Sequence, residues 1–161
     1  MIVPMTAAYA RQISGWTYTD EYAMYSFAQT GETVRELLGG EYYAQIDGPG
    51  DLRGFFCFGL SARIPATGKD PYASGALDMG LGMRPDLCGQ GHGYAFVLDG
   101  LAFARQTFAI DTLRLSVAAG NLRAVRTYAK AGFRHEASVT HRRTRQLFYI
   151  MVCPCGQRSA Q

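Results

Sequence analysis

The chain has 161 residues, 48% of them hydrophobic and 18% charged, with a formal net charge of +3. That length suits one domain burying roughly two-thirds of its unfolded surface. The basic residues are scattered along the chain, which favours small anionic ligands over nucleic acid, and no apolar run approaches the ~20 residues that span a bilayer.

The opening MIVPMTAAYARQ lacks the basic-then-apolar order of a secretory signal, and Cys57, Cys88, Cys153 and Cys155 follow no disulfide framework. The chain therefore reads as cytoplasmic. The paired thiols of the CPC tail have no second pair to complete a tetrahedral site, so no metal is expected. Helical spacing predicts a first helix over Thr6 to Gly15, packing through Ala7, Ala10, Ile13 and Ser14. The aromatic-rich WTYTDEYAMYSF follows, and then a short helix in TGETVRELLGG, capped by Thr30 and stopped by the glycine pair.

EYYAQID and LRGFFCFGL, separated by GPGD, predict an antiparallel hairpin. The stretch from Ser61 to Ser74 has no period and reads as a loop long enough to be functional. A strand near Ala76 to Met83, the cluster CGQGHG and the helical YAFVLDGLAFARQTF make a strand, loop and helix unit. TLRLSVA is a further strand, Asn121 opens a helix through Lys130, and FRHEASVT with QLFYIMV reads as a terminal hairpin around HRRTR. Strands alternating with helices predict an α/β fold of the α+β kind, a mixed sheet flanked by helices. Residues 1–161 are expected to form a single domain, with 153–161 a short tail.

Gly89, Gly91 and Gly93 alternate where a helix begins. Residues without Cβ let the backbone approach an anion, and the N–H groups at a helix start suit phosphate oxygens. The spacing fits neither the Walker loop, which ends in Gly-Lys-Ser/Thr, nor the G-x-G-x-x-G dinucleotide fingerprint. A tight turn with no ligand would also use such glycines. Downstream, Asn121, Ala124 and Tyr128 fall on one face of a helix. Asn121 also fits a plain N-cap, and Tyr128 a core aromatic with its hydroxyl satisfied.

Together these two segments resemble the GCN5-related N-acetyltransferase (GNAT) superfamily. That family carries a pyrophosphate loop of the form Arg/Gln-x-x-Gly-x-Gly/Ala, matched at Gly91 and Gly93 with Cys88 in the opening place. It also carries Asn-x-x-Ala-x-x-x-Tyr-x-x-x-Gly-Phe, matched at Asn121, Ala124, Tyr128, Gly132 and Phe133. The phrase DMGLGMRPDLCGQGHG looks most like the branch acetylating protein N-termini and small amines. The resemblance implies a twisted, mostly antiparallel sheet of about six to seven strands, with a splayed central strand pair.

It also implies an N-acetyltransferase that moves the acetyl group of acetyl-CoA, as co-substrate and without a metal, to a primary amine of a small molecule, peptide or protein N-terminus. Leu81, Gly82 and Met83 would pair with the pantetheine arm, and Cys88, Gly89, Gln90, Gly91, His92, Gly93 and Tyr94 would hold the pyrophosphate. Asn121 and Ala124 would meet the arm, and Tyr128 would protonate the departing sulfur. Asp78 is the first choice of general base, before Glu21 and His92; an ordinary solvent-facing strand residue is the other reading of Asp78.

The implied acceptor pocket draws on 16–27, 63–72 and 140–146, with Trp16, Tyr22 and Tyr25 as candidate substrate contacts; a core role for these rings is the alternative. Arg142, Arg143 and Arg145 fit either an anionic acceptor or a solvated turn. Partners are then acetyl-CoA and an amine, with no nucleic acid and no membrane, and a homodimer as the default assembly. The competing functions are a non-catalytic acyl-CoA-binding sensor or regulatory module, and a nucleotide-binding interaction domain.

Overall fold

The computed structural model describes residues 1–73 and 75–156, apart from the Glu21 side chain. Among the described residues seven strands, numbered in chain order, form one sheet in the order β1 (Ile2–Pro4), β2 (Tyr42–Asp47), β3 (Asp51–Phe58), β4 (Leu77–Met83), β5 (Thr112–Ala118), β7 (Leu147–Pro154) and β6 (Arg134–Thr140). The contacts divide the chain into two compact units interleaved in sequence: Met1–Cys57 with Leu81–Gly93, and Phe58–Gly80 with the chain from Tyr94 on.

In the first unit, β1 (Ile2–Pro4) pairs antiparallel with β2 (Tyr42–Asp47), which pairs antiparallel with β3 (Asp51–Phe58) across a turn at 48–50. The turn uses Gly48 and Gly50 at φ of 46° and 113°, the left-handed region that glycine enters at least cost. Helix α1 (Ala7–Ser14) begins where the Thr6 hydroxyl accepts the Tyr9 N–H and buries Ala10, Ile13 and Ser14. Ala7, expected on that packing face, is exposed in the first turn of the helix. Helix α2 (Gly31–Leu37) is capped by Thr30 through the Thr33 N–H and buries Thr33 and Leu37.

β1 was not expected from the sequence, since three residues offer too short a run to show alternation. The aromatic stretch takes partly helical form as a 3-10 segment over Asp20–Tyr25. Around Phe55 the rings of Trp16, Phe27 and Tyr42 gather with centroids 6.3, 5.7 and 5.9 Å away.

In the second unit, β4 (Leu77–Met83) enters beside β5 (Thr112–Ala118) in parallel, in register at Leu77↔Leu113 and Asp78↔Arg114. Among the described residues that pairing ends at Asp78, whereas β5 continues to Ala118 against β7 (Leu147–Pro154). This is the splayed central pair that the sequence resemblance implied. β6 (Arg134–Thr140) pairs antiparallel with β7. Helix α3 (Gly93–Thr107) buries Phe96, Val97, Gly100, Leu101 and Ala104, an i, i+4 stripe. Helix α4 (Leu122–Lys130) follows β5.

β7 takes in Cys153 and Pro154, and the Cys155 N–H donates to the Asp111 carbonyl at 2.6 Å. The strand thus includes the start of the segment read as a tail; residues 157–161 of that segment lie outside the described residues.

Candidate active site

The first unit holds the glycine loop. Gly89 and Gly91 take φ of 72° and 83°, so the alternation in the sequence is an alternation of left-handed residues leading into α3 at Gly93. A Cβ on Gly91 would meet nothing within 4 Å, so glycine is required there by backbone conformation and not by crowding. Gly89, Gln90, Gly91 and His92 are all exposed. The Gln90 amide donates to the Asp86 carbonyl at 2.6 Å, closing the loop on itself. His92 is thus a loop residue open to solvent.

Leu81, Gly82 and Met83 close β4, each half-buried. A Cβ on Gly82 would fall 2.6 Å from Phe55 Cζ, so glycine is what lets the strand lie on the aromatic cluster. The peptide between Met83 and Arg84 is held at both ends. Tyr18 donates its hydroxyl to the Met83 carbonyl at 2.6 Å, and the Arg84 N–H donates to the Arg53 carbonyl at 2.8 Å. Burial pushes the Tyr18 hydroxyl well above its usual pKa, with the Cys88 thiol adding to the effect. Tyr18 therefore remains a donor at ordinary pH.

The sequence did not single out Tyr18 from the neighbouring rings, since its partner lies 65 positions away. Arg84 is braced by Asp51 at 3.0 Å and Asp86 at 2.7 Å, and the Arg84 bond holds the Asp86 carboxyl below its ordinary value. Trp16 belongs to the ring cluster about Phe55, and Tyr22 and Tyr25 stand half-buried in the 3-10 segment.

The second unit holds Asp78, Tyr94, Asn121, Ala124 and Tyr128. Asn121 is the N-cap of α4, its Oδ1 accepting the Ala124 N–H at 3.2 Å. Tyr128 is half-buried and meets Phe133 edge to face at 6.1 Å. Gly132, at φ of 106°, ends the helix in the left-handed conformation. The ammonium of Lys130 lies 4.3 Å from the centroid of the Tyr94 ring, placing a cation beside the first turn of α3. No short-range signal in the sequence pairs these two residues.

Asp78 is not solvent-facing. It is 1% exposed; Oδ1 accepts from Arg114 Nε at 2.7 Å, and Oδ2 accepts from an Arg114 terminal nitrogen at 2.9 Å and from Arg63 Nε at 2.8 Å. Both oxygens are thus engaged by guanidinium groups in a water-poor setting. Asp78 raises the Arg114 guanidinium above its ordinary value, outweighing the burial that lowers it. The alternative reading of Asp78 as a solvent-facing strand residue is corrected on this ground: the carboxylate pairs with the fully buried Arg114. Glu21, the second candidate, has a side chain outside the described residues.

Among the described residues no group of three His, Cys, Asp or Glu is placed to hold a metal ion, and no helix is long and apolar enough to cross a membrane. Cys153 and Cys155 are buried free thiols, with Cys155 Sγ donating to the Cys153 carbonyl.

No protein-family model matches the chain, and no curated protein matches it by sequence. Solved structures do. A chimera of the spermidine N-acetyltransferase SpeG from Vibrio cholerae and hSSAT superposes with a TM-score of 0.71 at 16% identity, covering 96% of each chain. An acetyltransferase of the GNAT family from Bacillus anthracis gives 0.72 at 13% identity, covering 96% of this chain and 93% of that one. A point mutant of SpeG from Vibrio cholerae gives 0.70 at 16% identity over 96% and 95%. The chain has the fold of the GNAT acetyltransferases, as the loop and helix motifs implied.

Proposed function

We propose that this protein is an acetyl-CoA-dependent N-acetyltransferase that passes the acetyl group directly to a primary amine in the cytoplasm. The observation that carries the reading is the loop 88–93. Two left-handed glycines turn its backbone into the start of a fifteen-residue helix, an arrangement suited to a pyrophosphate. The Lys130 ammonium on Tyr94 adds positive charge at that helix start. The fold of the solved acetyltransferases supports the same reading.

Acetyl-CoA supplies an activated thioester. Around it the chain's own residues take separate roles: Leu81 to Met83 as an edge for the pantetheine arm, Cys88 to Tyr94 for phosphate, and Asn121 with Ala124 for the arm. Tyr128 is the general acid for the sulfur. With Asp78 committed to two guanidinium groups, no carboxylate of the described structure is assigned as base, and the acceptor enters as the neutral amine. The rate with acetyl-CoA then rises with pH as the acceptor loses its proton, and a plateau set by the amine's own pKa is the expected profile.

Titration with acetyl-CoA, followed by thiol release with an amine panel, tests the reading. Binding without thiol release from any amine would instead favour the acyl-CoA sensor.

A further inference from the structure

We infer that Arg63 is a preorganised fork for a carboxylate, and that the acceptor amine carries that carboxylate. The word acceptor rests on the acetyltransferase reading; the anion site itself does not. Arg63 is held from behind by two contacts. Its Nε donates to Asp78 Oδ2 at 2.8 Å, and its guanidinium carbon lies 5.1 Å from the centroid of the Tyr72 ring. Tyr72 is itself fixed, since its hydroxyl is 2.6 Å from Ser116 Oγ and accepts the Ile64 N–H at 3.0 Å, and its own N–H donates to Asp70 at 2.9 Å.

The Arg63 side chain is 34% exposed, and among the described residues its two terminal nitrogens have no partner. A guanidinium anchored through Nε and stacked on a ring presents those nitrogens as a planar, paired donor set, the geometry that a carboxylate accepts bidentately.

Charge points the same way. Arg63 and Arg114 both donate to Asp78, and Arg63 keeps its terminal nitrogens for a further acceptor. The turn 141–145 is joined to this loop by the Arg142 N–H on the Pro65 carbonyl at 2.7 Å and the Thr67 N–H on the Thr140 carbonyl at 3.0 Å, with an antiparallel bridge at Ala66↔His141. That connection ties the turn carrying Arg142, Arg143 and Arg145 to the loop that follows Arg63. Guanidinium groups here favour an anionic ligand over a polycationic amine.

The test is saturation-transfer NMR with CoA present, using a panel of amino acids, each beside its carboxamide, with phosphoethanolamine as the dianionic probe. In the wild type at least one acid binds tenfold or more tightly than its amide. Arg63→Met, which keeps the stem and loses the fork, abolishes that preference, and Arg63→Lys restores it only in part. Circular dichroism confirms that both variants fold. Equal binding of acids and amides, no binding by any acid, a preference that survives in folded Arg63→Met, or a stronger Arg63-dependent affinity for phosphoethanolamine would each overturn the assignment. Failure of acetyl-CoA to bind the wild type is a separate result and bears on the acetyltransferase reading alone.

Discussion

Tyr128 and Asp78 stand at opposite ends of what a side chain's surroundings permit. Tyr128 is half-buried on a helix with its ring against Phe133, a setting compatible with proton delivery. Tyr128→Phe is expected to slow thiol release about a hundredfold with acetyl-CoA affinity nearly intact, as loss of a general acid does; stopped assays beside titration separate the two. Asp78→Asn has a different signature. Removing the charge leaves Arg114 buried against a neutral amide, which costs about 3–5 kcal/mol, and urea denaturation reads that loss. At saturating acceptor, turnover per folded molecule stays within about tenfold of wild type while the acceptor KM rises as the Arg63 brace weakens; a hundredfold loss of kcat in the folded variant would return Asp78 to the role of base. The engagement of Asp78 by Arg63 and Arg114 was not legible from the sequence, because the two arginines lie 15 and 36 positions away. Spacing reports neighbours on one element, and this cluster is made by the sheet.

Elements with internal periodicity or chemical caps were legible, and the rest were not. α4 follows its Asn121 cap and its Gly132 stop, and α2 follows Thr30. β1 spans three residues and exists through its ladder to β2, information held in another segment. The glycine loop was read as a phosphate turn from its spacing, and its left-handed angles supply the physical reason for that spacing. Gly91→Val strains the backbone by about 1–2 kcal/mol without a clash, since nothing lies within 4 Å of the new Cβ. It is expected to weaken acetyl-CoA binding at least tenfold in a protein that still folds. Gly82→Ala acts on the other end of the same segment by pressing on Phe55, and is expected to lower the melting temperature by displacing a ring from its cluster.

Across the whole molecule, the pH dependence of stability follows from buried phenols. Burial raises the hydroxyls of Tyr18 and Tyr42 above the ordinary value of 10.0, with Cys88 and Cys57 as the next contributions. A raised value means that the unfolded chain releases these protons first, so stability holds below pH 10 and falls as the pH climbs above it. Urea midpoints taken from pH 8 to 11 are expected to decline at the alkaline end, and to decline less steeply in Tyr18→Phe.

The family resemblance was legible because its two motifs are local, and the fold agrees with it over 96% of the chain. The fork proposed at Arg63 was not legible, because its brace runs through Tyr72 to Ser116, 44 positions on. The central claim concerns the thioester co-substrate, and isothermal titration with acetyl-CoA beside ATP and NAD tests it most directly. Micromolar binding of acetyl-CoA alone is the predicted result. Absence of that binding, or equal binding of all three, would contradict the account and leave Gly89 to Gly93 as a turn without a ligand.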